Sequence, residues 1–313
     1  MPGWISEMRE MTVEVDQKIP LVSVGIPTYN RPDGLRRTLE CITGQTYKNL
    51  EIIISDNCSP GPETENVANE FIARDDRIRY YRQEKNNGAA FNFKFVLEKA
   101  NGEYFMWMAD DDIWEPTFIS RLLVFFDNNT EVSVVMCGVK TIDEHGKITS
   151  ITRYHDFSKP DYNQFKMALY AVTHNAFSVY IYGLHRTKVI KKYAVNLDST
   201  YGNDLIVMTE MLLSTKFGYV DELLHARQVY SKSIGERYSD EELGMNYGDP
   251  FNYFSMLFQL GPFLFRSPNI PAKRKLWIPF MVLSQGIWVG GIYTYRTFRF
   301  FFRKIFKKNA SLR

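Results

Sequence analysis

The first half of the chain predicts an α/β protein, a mostly parallel central sheet flanked by helices, on three observations. Short apolar runs alternate with helical patterns, and the runs are apolar almost throughout, as strands buried on both faces require. Polar clusters stand immediately after three of these runs. Val22–Pro27, Leu50–Ser55, Ile78–Arg82 and Tyr104–Met108 read as strands. Between them, helices are expected over Gly34–Thr43, Glu63–Ala73 and Phe91–Ala100, the second preceded by the turn residues Pro60, Gly61 and Pro62. Strand, helix, strand in repetition implies right-handed crossovers, and ligands of such sheets bind beyond the carboxyl ends of the strands.

After Asp112 the alternation loosens. A helix is expected beyond Pro116, a strand at Val132–Val139, a turn at Glu144–Gly146, a strand at Ser178–Leu184 and a helix at Leu205–Ser214. The polar, acidic stretch Gly235–Gly248 then separates an α/β domain, residues 1–248, from a basic aromatic region, residues 249–313. With 313 residues, 45% of them apolar, the chain can bury a substantial core, which argues against disorder and against collagen-like or coiled-coil architecture. Cys41, Cys58 and Cys137 form no metal-spaced set and read as small hydrophobes in a reducing compartment. The opening MPGWISEMRE has no basic-then-apolar signal pattern.

A formal net charge of +2 hides a split. From Pro250 to Arg313 there are eleven basic residues and no acidic ones; the preceding 249 residues hold 27 basic against 36 acidic, a net of −9. Of the 47 aromatics, 16 lie in those last 64 residues, so the cationic region is a quarter aromatic. Such asymmetry points to a membrane or nucleic-acid partner.

The strand ends carry the chemistry. Pro27-Thr28-Tyr29-Asn30-Arg31 follows the first strand, Ser55-Asp56-Asn57 the second, and Ala109-Asp110-Asp111-Asp112 the fourth. Adjacent carboxylates repel unless a cation or hydrogen bonds offset them. A DDD directly after a buried strand suits Mg2+ or Mn2+ held against a diphosphate, and it equally suits a solvated acidic turn.

Taken together, PTYNR, QTYKNLEIIISDN, A-x-GEY and DDDIWEP resemble the family 2 glycosyltransferases, inverting enzymes of the GT-A fold, in register from about Leu21 to Trp114. The likeness fades over 143–201 and returns weakly at Asn203-Asp204 and Arg227–Ser233. It implies that Pro27, Thr28, Tyr29, Asn30 and Arg31 line the nucleotide site, with Tyr29 stacking on the base. It further implies that Asp56 accepts a hydrogen bond from the base and that Asp110 lies near the ribose. Packing of Tyr29 on its own helix, and capping of the following turn by Asp56, are the structural alternatives. Asp111 aligns with the metal ligand, Mn2+ or Mg2+, and Asp112 with a supporting group or donor-sugar contact; Ala109 replaces the usual first acid of the motif. Asn87 and Asn92 fall where relatives hold an Arg-Asn pair facing the donor, with Phe91 in the Arg position. Asp204 would be the catalytic base, Asn203 standing where Glu is usual; its alternative is an N-terminal helix cap. Arg227 would meet the diphosphate, Tyr230 stands where many relatives have His, and His225, at the wrong offset, reads as structural.

Leu276–Tyr295 is twenty residues without a charge, weakened as a span by Pro279, Ser284, Gln285 and glycines. Over Arg296–Lys308, Arg296, Arg299, Arg303, Lys304, Lys307 and Lys308 share one helical arc, opposite Phe298, Phe301, Phe302, Ile305 and Phe306. That is the pattern of interfacial amphipathic helices on an anionic surface, here residues 276–308 on the cytoplasmic face of a membrane. A hairpin packing on the catalytic domain or on a second subunit is the alternative, so a homo-oligomer stays open. Nucleic acid is disfavoured, because a Phe-rich face has no use on a phosphate backbone.

The resemblance and the tail together imply transfer of a sugar from a nucleotide-sugar donor to a lipid-linked or polyprenyl-phosphate acceptor. The competing readings are a non-catalytic binding protein on the same fold and a two-carboxylate glycoside hydrolase. A nucleotidyltransferase is disfavoured because no Gly-rich phosphate loop follows the first strand.

Overall fold

The computed structural model describes residues 19–154, 163, 165–166, 168–169, 178–194, 203–230 and 251–287, the side chains of 178, 203 and 251–257 excepted. Four strands, β1 (Val22–Thr28), β2 (Leu50–Asp56), β3 (Ile78–Arg82) and β4 (Tyr104–Trp107), alternate with α1 (Pro32–Thr43), α2 (Glu63–Ile72) and α3 (Ala89–Lys99). All four run parallel, in the order β3-β2-β1-β4. Their sequence dictates this: every residue of β1, β2 and β4 is buried, so both sheet faces must be covered, and the helices cover them.

Across β4 the pairing changes character. The sheet continues through β8 (Leu184–Arg186), antiparallel to β4, then β6 (Val132–Ile142), β9 (Lys216–Gln228) and the two-residue β5 (Ile113–Trp114). Strand β6 is antiparallel to β8 and parallel to β9, while β5 runs antiparallel to β9. A hairpin turn at Asp143–Lys147 returns β7 (Ile148–Thr152) along β6. The nine-stranded sheet is therefore parallel in its first half and mixed in its second. Helices α4 (Phe118–Asn128), α5 (Thr187–Tyr193) and α6 (Asn203–Ser214) complete the α/β part.

Two expectations need correction. Ser178–Leu184 is not a strand: Ser178–Tyr182 forms a 3-10 turn, and only Leu184–Arg186 joins the sheet. Val179, Tyr180 and Ile181 are all buried there, so an apolar run alone did not separate a buried turn from a buried strand. The thirteen-residue β9 shows no alternation in the sequence, because its pairing with β6 shifts register three times and charges interrupt the pattern.

Two further helices, α7 (Phe251–Arg266) and α8 (Ala272–Lys275), precede a helical stretch at 278–287. Leu260, Leu264, Ile270, Ile278 and Met281 from these segments join the same buried cluster as the sheet residues. Their other faces are open: Phe258, Phe265, Leu276, Phe280, Leu283 and Ile287 are exposed. No described helix is long and apolar enough to cross a membrane. The basic aromatic stretch Arg296–Lys308 and the acidic stretch Gly235–Gly248 lie outside the described residues.

Candidate active site

The carboxyl ends of β1, β2 and β4 meet where the fold predicts a ligand site. Pro32 opens α1 with three residues between it and the end of β1, and the preset φ of proline suits a first helical turn. Arg31, just before it, is left to reach sideways: its guanidinium donates to Asp110 Oδ1 at 2.7 Å and to Asp111 Oδ2 at 3.0 Å. Thr28 Oγ1 donates to the other oxygen of Asp110 at 2.9 Å. The loop after β4 and α1 pack backbone to helix. A Cβ on Gly34 would lie 2.1 Å from the Asp110 carbonyl oxygen, so only glycine permits the approach.

The three acids stand in different environments. Asp110 is buried, and desolvation pushes its carboxyl up despite Arg31 and Thr28, with the neighbouring Asp111 adding to the rise. Asp112 is buried as well. His225 Nε2 meets its Oδ2 at 2.9 Å and the Gln228 backbone N–H donates to Oδ1 at 3.1 Å. Asp111 is the most exposed of the three side chains. An ion of the Mg2+ class is commonly held by one or two carboxylates together with phosphate oxygens and waters. Asp111 therefore fits a cation that arrives with a diphosphate; no group of three acidic, His or Cys side chains able to hold a metal ion occurs among the described residues.

His225, expected to be structural from its offset, is buried and meets the last acid. Strand β9 places its ring against Trp114, stacked at a centroid distance of 5.0 Å, with its nitrogen on Asp112. The β5–β9 pairing sets Trp114 opposite His225. Linear spacing carried no trace of that contact.

Around the β2 end, Asp56 is wholly buried and already engaged. The backbone N–H and hydroxyl of Ser59 donate to Oδ1 at 2.9 and 2.5 Å, Tyr80 donates to Oδ2 at 2.7 Å, and Arg82 lies 3.6 Å from Oδ2. The Asn30 N–H donates to Ser59 Oγ at 2.7 Å, and Asn30 itself adopts a left-handed φ of 53°, a conformation Asn tolerates. Asn92 is buried under the loop, its amide donating to the carbonyls of Thr28 and Ser55 at 3.1 and 2.9 Å and so stapling the β1 and β2 ends. Asn87 is exposed, its N–H on Asn57 Oδ1 at 3.0 Å. Pro27 is buried within β1. Tyr29 is half-buried and makes no hydrogen bond or ring contact among the described residues.

Asp204 lies in the first turn of α6, and burial pushes its carboxyl up, opposed by two backbone hydrogen bonds and the charge of Arg227. Arg227 projects from the end of β9. Tyr182, which sequence reasoning missed, ends the 3-10 turn that packs against α6, β4 and β6. Charges of Asp112, Asp111, Asp204 and Arg227 all act on its hydroxyl.

Comparisons with known proteins bear on the family and the fold. The family model described as glycosyl transferase family 2 matches residues 23–193. A relative from Rickettsia felis, named only as an uncharacterized glycosyltransferase, is 36% identical over 146 residues, 45% of this chain and 22% of its own length. TuaG of Bacillus subtilis, named for teichuronic acid biosynthesis, is 34% identical over 34% of this chain and 42% of its own. The match thus spans about a fifth of the first relative's length and under half of TuaG's. Among solved structures, S. aureus TarS 1–349 in complex with UDP-GlcNAc superposes with a TM-score of 0.61 at 14% identity, covering 84% of this chain and 72% of that one. A Pyrobaculum calidifontis mannosyltransferase in complex with GDP-Man and Mn2+ gives 0.54 at 13% identity, covering 88% and 75%. At these identities the structures speak for the shared fold. With more than half of its residues inside the family model, the chain belongs to glycosyl transferase family 2.

Proposed function

We propose that the chain is a metal-dependent inverting glycosyltransferase that moves a sugar from a nucleotide-sugar donor to a lipid-linked acceptor at the cytoplasmic face of a membrane. The observation that carries the proposal is the acid cluster after β4, in which Arg31 bridges Asp110 and Asp111 and Asp111 is the most open side chain; Asp204 in the first turn of α6 supplies the candidate base. A general base needs a carboxyl tuned upward, and burial moves Asp204 in that direction. In the reaction the anomeric carbon–diphosphate bond breaks and its electron pair leaves with the nucleoside diphosphate. The acceptor oxygen bonds to the opposite face as Asp204 takes its proton. A cation on Asp111 would supply Lewis-acid neutralisation of the departing diphosphate, and Arg227 would add a positive charge nearby. Tyr29, with its uncommitted ring, would stack on the base. A contact between Asp56 and the base would require Tyr80 or Arg82 to move aside, since both press on its Oδ2.

Thermal shifts with UDP, GDP and their sugar conjugates, with and without Mn2+, test this. A metal-dependent rise with one nucleotide, lost in Asp111→Asn while the unliganded melt stays put, is the expected result. No rise with any nucleotide would reject the donor.

The membrane part has a separate support. The exposed Phe258, Phe280, Leu283 and Ile287 lie on the segments that lead into the cationic aromatic stretch, an apolar surface continuous in sequence with a basic one. A variant lacking residues 288–313 still contains the buried Ile278 and Met281. That variant should lose flotation with anionic liposomes, and equal recovery would defeat the membrane assignment.

A further inference from the structure

A single nitrogen holds two of the three acids after β4. Arg31 Nη1 lies 2.7 Å from Asp110 Oδ1 and 3.0 Å from Asp111 Oδ2, so one corner of the guanidinium spans the pair. The two contacts are not alike. Asp110 is buried, and its other oxygen accepts from Thr28 Oγ1 at 2.9 Å, which holds it from two sides. Asp111 has the longer contact and the more open side chain, 23% exposed against 10% for Asp110. The Arg31 carbonyl accepts from the Leu35 N–H at 2.9 Å, which anchors its backbone to α1. Its side chain, 20% exposed, reaches both the acids and solvent.

Arg31 and a cation on Asp111 compete. The guanidinium already neutralises that carboxylate, and a dication on it would face a positive charge close by, a repulsion that partial burial strengthens. A diphosphate alone fares no better, because drawing Arg31 away leaves two adjacent acids uncompensated. Both costs fall when the two arrive together. Phosphate oxygens are strong acceptors for arginine, often in paired bonds. A diphosphate on a cation held by Asp111 would also lie within reach of the side chain that bridges this acid.

Resting on the proposed function, we infer that Arg31 is an internal counter-ion that yields Asp111 to the cation and turns to a phosphate oxygen of the donor, keeping Asp110 as it does so. The exchange makes cation and donor diphosphate enter as a pair. Such coupling is reciprocal and can be weakened from either side.

The test combines Mn2+ titration, followed by electron paramagnetic resonance, with calorimetry of UDP and GDP in the presence and absence of Mn2+. It compares the wild type with Arg31→Gln, Asp111→Asn and Arg36→Gln, melting temperatures establishing that each is folded. Glutamine keeps an amide donor for Asp110. Without nucleotide, Arg31→Gln should bind Mn2+ about tenfold more tightly than the wild type, within the usual span of coupling between sites. Asp111→Asn should bind nucleotide without metal more tightly than the wild type, because Arg31 is released from one acid; this arm stands even where Arg31→Gln does not fold. Arg36, further along α1 and paired with Glu70, reports the bare electrostatic field, and its variant should leave Mn2+ affinity unchanged. Unchanged Mn2+ affinity in Arg31→Gln, an equal gain in Arg36→Gln, or no gain for nucleotide in Asp111→Asn overturns the inference while the donor reading stands. Failure of the wild type to bind either nucleotide in Mn2+ rejects the donor reading, and the inference with it.

Discussion

The two ends of the parallel strands β1, β2 and β4 both bury a carboxylate, and treat it in opposite ways. At the amino end, Glu51 on β2 accepts from the Ser23 hydroxyl at 2.5 Å, from the Asn101 and Gly102 backbone N–H groups at 2.6 and 3.1 Å, and from the Asn101 amide at 3.2 Å. Burial would raise that carboxyl, but the hydrogen bonds outweigh it and hold it below the usual carboxylate range. At the carboxyl end, Asp110 has Thr28 and Arg31 but also a second acid beside it, and burial leaves its carboxyl raised. One end saturates its charge with donors and becomes a joint. At the other end Asp56 and Asp112 are tied to donors, but Asp110 keeps a like charge beside it, the condition under which an acid cluster can take up a cation and a ligand. Asp204, raised by burial on α6, belongs with the second kind.

Substitutions can break this contrast. The largest effect is expected for Asp204→Asn, which should lower the rate of transfer by ~10²–10⁴-fold, the range for removing a positioned base. Diphosphate binding should be unchanged by calorimetry. Because the wild-type base must be deprotonated and its carboxyl is raised, the acid limb of the wild-type rate profile should lie above the pH of an ordinary aspartate. A residual rate in the variant without that limb would confirm which group titrates. Near-normal transfer would reject the assignment.

Gly34→Ala comes next. The new methyl meets the Asp110 carbonyl oxygen at 2.1 Å, so helix and acid loop must separate. Overpacking costs about 1–3 kcal/mol, and here the shift falls on the acids themselves. Both the melting temperature and Mn2+-dependent nucleotide binding should fall together.

Glu51→Gln should touch stability alone, by about 1–3 kcal/mol at neutral pH, read by urea denaturation. The sign in pH follows from the lowered carboxyl. Its contribution is complete above the unfolded value for glutamate and disappears as pH falls through the depressed folded value. The gap between wild type and variant should therefore close in acid. An equal gap at all pH values would show that shape rather than charge is at stake, and a loss of transfer rate without a loss of stability would erase the distinction between the two ends.

How far all this can be read from the chain follows the same divide. Strands β1 to β4 and the clusters behind them are legible because each is local: a run of four to seven residues, wholly buried in β1, β2 and β4, set off by turns from the helices. The PTYNR and DDD clusters announce themselves by following buried strands directly. What the second half contributes is not local. His225 reaches Asp112 across 113 positions, through a β5–β9 pairing that no periodicity marks. Tyr182 lies inside an apolar run that reads as strand, and a 3-10 turn and a strand bury such residues equally well. Gln45 shows the intermediate case. It is recognisable as part of QTY, yet only the fold reveals it spanning to the Glu115 carbonyl at 2.9 Å and the Ile119 N–H at 3.2 Å, which ties the end of α1 to the segment after the acids.

Helix α6 has one further consequence. Its first turn carries Asp204, while Glu210, two turns on and almost fully buried, takes hydrogen bonds from Ser267 Oγ at 2.5 Å and the Asn269 amide at 2.9 Å. Arg274 adds a bond to the Leu213 carbonyl at 2.8 Å. The element bearing the reactive acid is thus bolted at its far end to the segment that leads toward the cationic tail. Anyone trimming this protein for crystallisation, or grafting a different tail onto it, inherits that bolt: a cut near 249 strips Glu210 of both partners, whereas a cut after 287 leaves the fastening whole.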